Sequence, residues 1–172
     1  MPVLRYVCII LVLMVLADTA RATDHFVLGI NGGMEVSAGA TFTVSAIMYY
    51  DTSNNRINFD GDKYLTWTST PYATATLPQG TVTFTSGATS SISGFVLYNA
   101  SEKATITVKS TDGMAGTLSS ITVNAGIPSC FNVMIKDNGT KTAGVGFGVD
   151  LEMMDAYGNL NNDPSWAATY SI

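Results

Sequence analysis

This sequence predicts an all-β protein built as an antiparallel β-sandwich, and three observations carry the prediction. Its 172 residues are 47% hydrophobic but only 12% charged, about half the charge of an average soluble domain, and Thr, Ser, Gly, Val and Ala fill the difference. Apolar residues alternate with period two from Phe26 onward, and no window sustains a helical period. Gly, Asp and Pro turn formers close these stretches at regular spacing. A parallel α/β fold would need crossover helices of a dozen or so residues, and no stretch supplies them. Disorder would need high net charge and few large apolar residues, and that condition also fails.

In chain order the first element is a leader. Arg5 precedes the apolar run 7–17, and Ala20-Arg21-Ala22 has the small-x-small pattern of a signal peptidase site, so residues 1–22 are expected to be a secretory signal peptide. The run rises only about 16 Å as a helix, where a bilayer core needs roughly 20 residues, so the mature chain is expected to have no membrane span. Strands follow at 25–30, 42–50, 63–69, 74–77, 81–85, 91–98, 104–110 and 118–124, with turns at Gly32-Gly33, Asp60-Gly61, Pro78-Gln79-Gly80, Ser86-Gly87 and Asp112-Gly113. Alternation is clearest over 42–50, where Phe42, Val44, Ala46, Met48 and Tyr50 are expected on one core face. Trp67 shares a face with Leu65 and is the expected large filler of the core, where burying one aromatic side chain is worth about 2–3 kcal/mol.

Sliding the chain on itself by 105 residues aligns Phe26 with Phe131, Ala38-Gly39 with Ala143-Gly144, Phe42 with Phe147, Val44 with Val149 and Met48 with Met153. A one-residue adjustment then sets Asp51-Thr52-Ser53-Asn54-Asn55 beside Asp155-Ala156-Tyr157-Gly158-Asn159. Matched apolar positions keep strand parity, which chance identity is not expected to do. The organisation that follows is a complete module over 23–126, a linker at 127–128, and the opening of a second, truncated module over 129–172. Its apolar face (Phe147, Val149, Leu151, Met153) would stay wet, so the sequence is expected to be a fragment of a longer tandem array. The competing expectation is a natural end that supplies an exposed strand to a partner chain.

The phrase from Thr142 to Val149, followed by Asp155-Ala156-Tyr157-Gly158-Asn159, resembles the opening of tandem bacterial immunoglobulin-like repeats of the invasin/intimin-like group. Ala75-Thr76-Leu77-Pro78, Thr83-Phe84-Thr85, Ala104-Thr105-Ile106-Thr107-Val108 and Ile121-Thr122-Val123 resemble later strands of the same modules. The first copy departs from the pattern at residues 51–55, where Tyr-Gly is absent. The resemblance implies an immunoglobulin-like sandwich in a secreted or cell-surface protein, acting as a spacer or adhesin arm, with no catalytic residues. Its implied partners are further tandem modules and a host-protein or glycan ligand. The alternative is an accessory or carbohydrate-binding module of a larger secreted polysaccharide-active enzyme.

Candidate chemistry is sparse. The net charge of −5 offers no basic stripe for nucleic acid. One histidine, His25, and one cysteine outside the leader, Cys130, exclude a zinc cluster and an intrachain disulfide framework. The acidic loop 51–62 is the best metal candidate: Asp51, Ser53, Asn55 and Asp62 fall at oxygen-ligand positions of a calcium loop, but Arg56 stands where the sharp turn demands Gly. A looser calcium site would use Asp51, Asp60 and Asp62. Asp60 and Asp62, two apart on a turn, are a poor glycosidase pair, no catalytic residue is assigned, and no cofactor is expected beyond that calcium. Tyr49, Tyr50, Tyr64, Tyr72 and Tyr98 are candidate exposed sugar-stacking aromatics. The triplets Asn99-Ala100-Ser101 and Asn138-Gly139-Thr140 match the glycosylation pattern.

Overall fold

The computed structural model describes residues 24–30, 33–70, 75–100, 103–136 and 139–163. The expected leader, Tyr72, Gly32, Ser101, Asn138 and residues 164–172 lie outside them. Among the described residues twelve strands form: β1 (His25–Ile30), β2 (Glu35–Ser37), β3 (Thr41–Tyr50), β4 (Gly61–Thr70), β5 (Ala75–Thr76), β6 (Gly80–Thr85), β7 (Ala88–Thr89), β8 (Ile92–Leu97), β9 (Ala104–Ser110), β10 (Ala115–Asn124), β11 (Pro128–Ile135) and β12 (Val149–Asp155). The chain is all-β, with no helix among the described residues. Correspondingly, no helix there is long and apolar enough to cross a membrane.

The first ten strands form one sheet in the order β1-β10-β9-β4-β6-β7-β3-β8-β5, with β2 on β10. Because β3 also pairs with β1, seven of these strands close a circuit, and the body is a barrel. The expectation was two separate antiparallel layers. Closure arises because β1 uses both edges: it pairs antiparallel with β3 along its length and parallel with β10 at His25. On the far side the two-residue β7 joins β6 to β3.

Strand β3 departs from strict alternation. Gly29 pairs with Ala46 but Ile30 pairs with Val44, so Ser45 is an extra residue, a β-bulge. Its hydroxyl lies where a Cβ on Gly29 would stand, 2.6 Å away, so the glycine makes room for the bulge. The bulge inverts the parity of everything after it. Phe42 and Val44 face the core as expected, but Ile47 replaces Ala46 and Met48 as the buried residue. Beyond the bulge the Ile47 N–H is satisfied by the buried Thr89 hydroxyl of β7, at 3.0 Å.

Inside the barrel, Val44, Ile47, Leu65, Phe84, Phe95, Ile106, Val108 and Ile121 are fully buried. Trp67 sits with Leu65 in this core, its ring edge-on to Phe95 at 4.7 Å between centroids. Strands β11 and β12 make a separate two-stranded hairpin that begins two residues after Gly126. Phe147 and Leu151 are exposed there, as are Phe131, Val133 and Ile135, whereas Val149 and Met153 are half-buried.

Candidate functional site

Two loops of the chain are built on the same hydrogen bonds. In the 51–55 loop, the Asp51 carboxylate accepts from the N–H groups of Ser53 and Asn55, both at 2.8 Å, and from the Asn55 amide at 3.1 Å. In the 155–159 loop, the Asp155 carboxylate accepts from the N–H groups of Tyr157 and Asn159, at 2.8 and 2.9 Å, and from the Asn159 amide at 2.8 Å. The backbone follows suit: Asp51 N–H donates to Asn55 and Ile57 N–H to Tyr49, while Asp155 N–H donates to Asn159 and Asn161 N–H to Met153. Asp and Asn side chains favour such turns because they mimic a backbone turn. The fourth residue has positive φ in both, Asn54 at 61° and Gly158 at 82°.

These equivalences locate the one-residue shift in the repeat. Ile30 pairs with Val44 and Ile135 with Val149, an offset of 105; Phe26 pairs with Tyr49 but Phe131 with Met153. Met153 therefore corresponds to Tyr49, not to Met48 as the sequence alignment had it. The shift falls at the Ser45 bulge, which the second hairpin lacks.

The two loops differ in what surrounds them. Asp51 is half exposed, whereas Asp155 is buried, with 1% of its surface accessible. The 155–159 loop packs against one pole of the barrel. The Gly126 N–H donates to the second oxygen of Asp155 at 2.8 Å, and the buried Asn161 amide donates to the Gly126 carbonyl at 2.8 Å. Asn159 accepts from Ala100 N–H at 2.8 Å and donates to the Tyr98 carbonyl at 2.7 Å. The ring of Tyr157 lies 4.8 Å from that of Tyr98 and covers Gly39 so closely that a Cβ there would stand 2.2 Å from the ring.

Burial opposes ionisation of Asp155, but the Asn159 amide and the N–H groups of Gly126, Asn159 and Tyr157 outweigh it and hold the carboxyl below its ordinary value. The Asp51 carboxyl is also lowered, first by the N–H and then by the side chain of Asn55. What this arrangement does is hold the 155–159 loop against the barrel pole. It offers a hydrogen-bonded anion and an aromatic contact.

The residues proposed for calcium are spread over different partners. Asp51 closes its own loop, Asp60 accepts from Ser86 N–H at 2.8 Å, and Asp62 accepts from the Thr83 hydroxyl at 2.6 Å. Among the described residues no three His, Cys, Asp or Glu side chains are grouped to hold a metal ion. Among the described residues the tyrosines do not form one platform either. Tyr49, expected outside, is turned inward by the bulge and meets Phe26 and Phe59 edge-on; Tyr50 stacks on His25 at 5.9 Å; Tyr64 stands exposed; Tyr98 belongs to the junction. Cys130 is exposed and free. Sequence reasoning found the Asp-Asn phrase and the Ala-Gly pair as repeat matches, but not that Gly39, Tyr98, Gly126 and Asn161 meet them. Comparison with protein-family models, curated proteins and solved structures gave no match.

Proposed function

We propose that this chain is an extracellular spacer or adhesin arm built of tandem immunoglobulin-like β-sandwich modules, with 23–126 as one complete module and 129–172 as the start of the next. The observation that carries this reading is the recurrence of the Asp-x-x-x-Asn loop, used the second time to fasten the following hairpin to the pole of the barrel. Pairwise correspondence supports the module boundary. Exposed Phe131, Val133, Phe147 and Leu151 of the hairpin match Phe26, Leu28, Phe42 and Ile47, all buried in the barrel. The strand order supports the sandwich: β5-β8-β3 and β6-β4-β9-β10 make two wings, with β1 and β7 crossing between them.

The mechanism is geometric. Ten-residue strands such as β3, β4 and β10 run about 34 Å, and a stalk of such bodies projects a distal function only if its joints resist bending. At this joint, four hydrogen bonds and a ring contact turn the short linker at 127–128 into a fixed connection. Surface labelling of intact source cells, combined with small-angle scattering of the purified chain, tests the reading. A labelled protein whose scattering fits one rigid elongated shape is expected. An unlabelled intracellular protein, or a particle of many shapes, overturns it.

A further inference from the structure

We propose that the barrel pole around Gly39 is a protein-binding seat whose ligand is a polypeptide loop of the form Asp-x-Tyr-Gly-Asn, and that Tyr157 decides whether such a loop docks. The inference rests on the tandem reading and deepens it by naming what one body recognises in the next.

Two separate codes lie in the loop. The 51–55 loop forms the same internal hydrogen bonds with Ser53 and Asn54 in the places of Tyr157 and Gly158. Asp and Asn therefore suffice to fold the loop, and the aromatic residue is free for another task. That task is visible in the contacts: the Tyr157 ring lies between Tyr98 and the bare backbone of Gly39.

The seat is read almost entirely through backbone. The Gly126 and Ala100 N–H groups donate to Asp155 and Asn159, and the Gly126 and Tyr98 carbonyls accept from Asn161 and Asn159. Two features of the barrel meet the loop's ring, the ring of Tyr98 and the missing side chain of Gly39. Gly39 has φ +77°, so the position favours glycine even before the ring is placed on it.

A second seat is marked in the same chain. Ala143-Gly144 repeats Ala38-Gly39; Gly144 has φ +80°, and among the described residues nothing lies within 4 Å of the Cβ it lacks. The hairpin thus carries both the docking loop for the barrel and the glycine on which a later loop of the same form would sit. The barrel's own 51–55 loop, with Ser53, is the non-docking version.

Amide hydrogen exchange on the full chain tests this, because the Gly126 and Ala100 N–H groups donate to the loop side chains Asp155 and Asn159. Tyr157→Ser copies the residue the 51–55 loop already tolerates, so the loop should still fold. Expected is exchange at Gly126 and Ala100 faster by about tenfold or more, with Val44 and Val108 unchanged. Gly39→Val should give the same result from the opposite side of the contact. Unchanged exchange at Gly126 and Ala100 in either variant overturns the proposal. So does equal acceleration throughout the barrel in the Ser variant, which would make Tyr157 a folding residue. In a second arm, the Ser variant is titrated with a cyclised peptide containing Asp-Ala-Tyr-Gly-Asn at millimolar concentration, matching the effective concentration a short linker provides. Renewed protection of both amides, absent with a Ser-for-Tyr peptide, is expected; no renewal overturns the claim that the loop is the ligand. An intracellular location would sink the spacer reading and leave the seat standing, while unchanged amides would do the reverse.

Discussion

The 51–55 and 155–159 loops share a hydrogen-bonded skeleton and differ in environment, and the difference separates what folds a turn from what joins two bodies. Asp51 spends its carboxylate on its own loop and faces water. Asp155 makes the same bonds, adds the Gly126 N–H, and is buried. Four hydrogen bonds to the barrel and one aromatic ring distinguish the joint from the turn.

The same contrast runs through the repeated apolar positions, where the largest effect is expected. Phe42 is 9% exposed and packs on Phe95 at 5.5 Å, while its counterpart Phe147 is 54% exposed. Phe42→Ala should destabilise the barrel by about 3–5 kcal/mol in denaturant titration. Phe147→Ala should stay within about 0.5 kcal/mol. Equal losses would mean that the hairpin's apolar face is covered in solution.

A smaller effect separates the aspartates. Asp155→Ala leaves the part-buried N–H bonds of Gly126, Tyr157 and Asn159 without their acceptor, which costs on the order of 1–3 kcal/mol in local stability of the joint. Faster amide exchange at those three residues would report it. Asp51→Ala should accelerate exchange only at Ser53 and Asn55, because water can replace the carboxylate there. A joint that survives Asp155→Ala would place its stability in the Tyr157 contact instead.

Why part of this was legible in the sequence, and part was not, follows from which atoms carry each feature. Alternation placed β1, β4, β6, β8 and β9 to within a residue or two, because core-facing Phe26, Leu65, Trp67, Phe84, Phe95 and Ile106 are large side chains with a period. The Asp-Asn loop showed itself through its repeat. The Ser45 bulge did not, since one extra small residue changes neither composition nor the run of strand formers, yet it inverts every side chain that follows. Closure of the barrel through β7 was equally hidden in two residues. The joint was missed because its receiving groups at Gly126, Ala100 and Tyr98 are backbone atoms, which every residue has.

Acid should weaken the joint. The Asp155 carboxyl titrates below the ordinary value of about 3.9, so the folded junction favours the ionised form. That contribution is present in full above the unfolded value and is lost as pH falls through the lower folded one. The Tyr98 and Tyr157 ring resonances should therefore shift together below about pH 4, and Asp155→Asn should abolish the transition. The 51–55 loop has its own lowered carboxyl, so ring shifts that persist in Asp155→Asn would assign the transition to another group.

Calcium should have the smallest effect, and it again tells the loops apart. A hard divalent cation needs six to eight oxygen ligands, and Asp51, Asp60 and Asp62 would have to give up hydrogen bonds to Ser53 and Asn55, to Ser86, and to Thr83 before sharing one ion. Asp155 is worse placed still, because its oxygens already accept four N–H bonds at the joint. Melting with calcium and then with chelator should give the same midpoint. A rise with calcium that disappears in Asp60→Asn would show that the 51–62 loop rearranges to bind the ion. A rise that disappears only in Asp155→Asn would move the site to the joint.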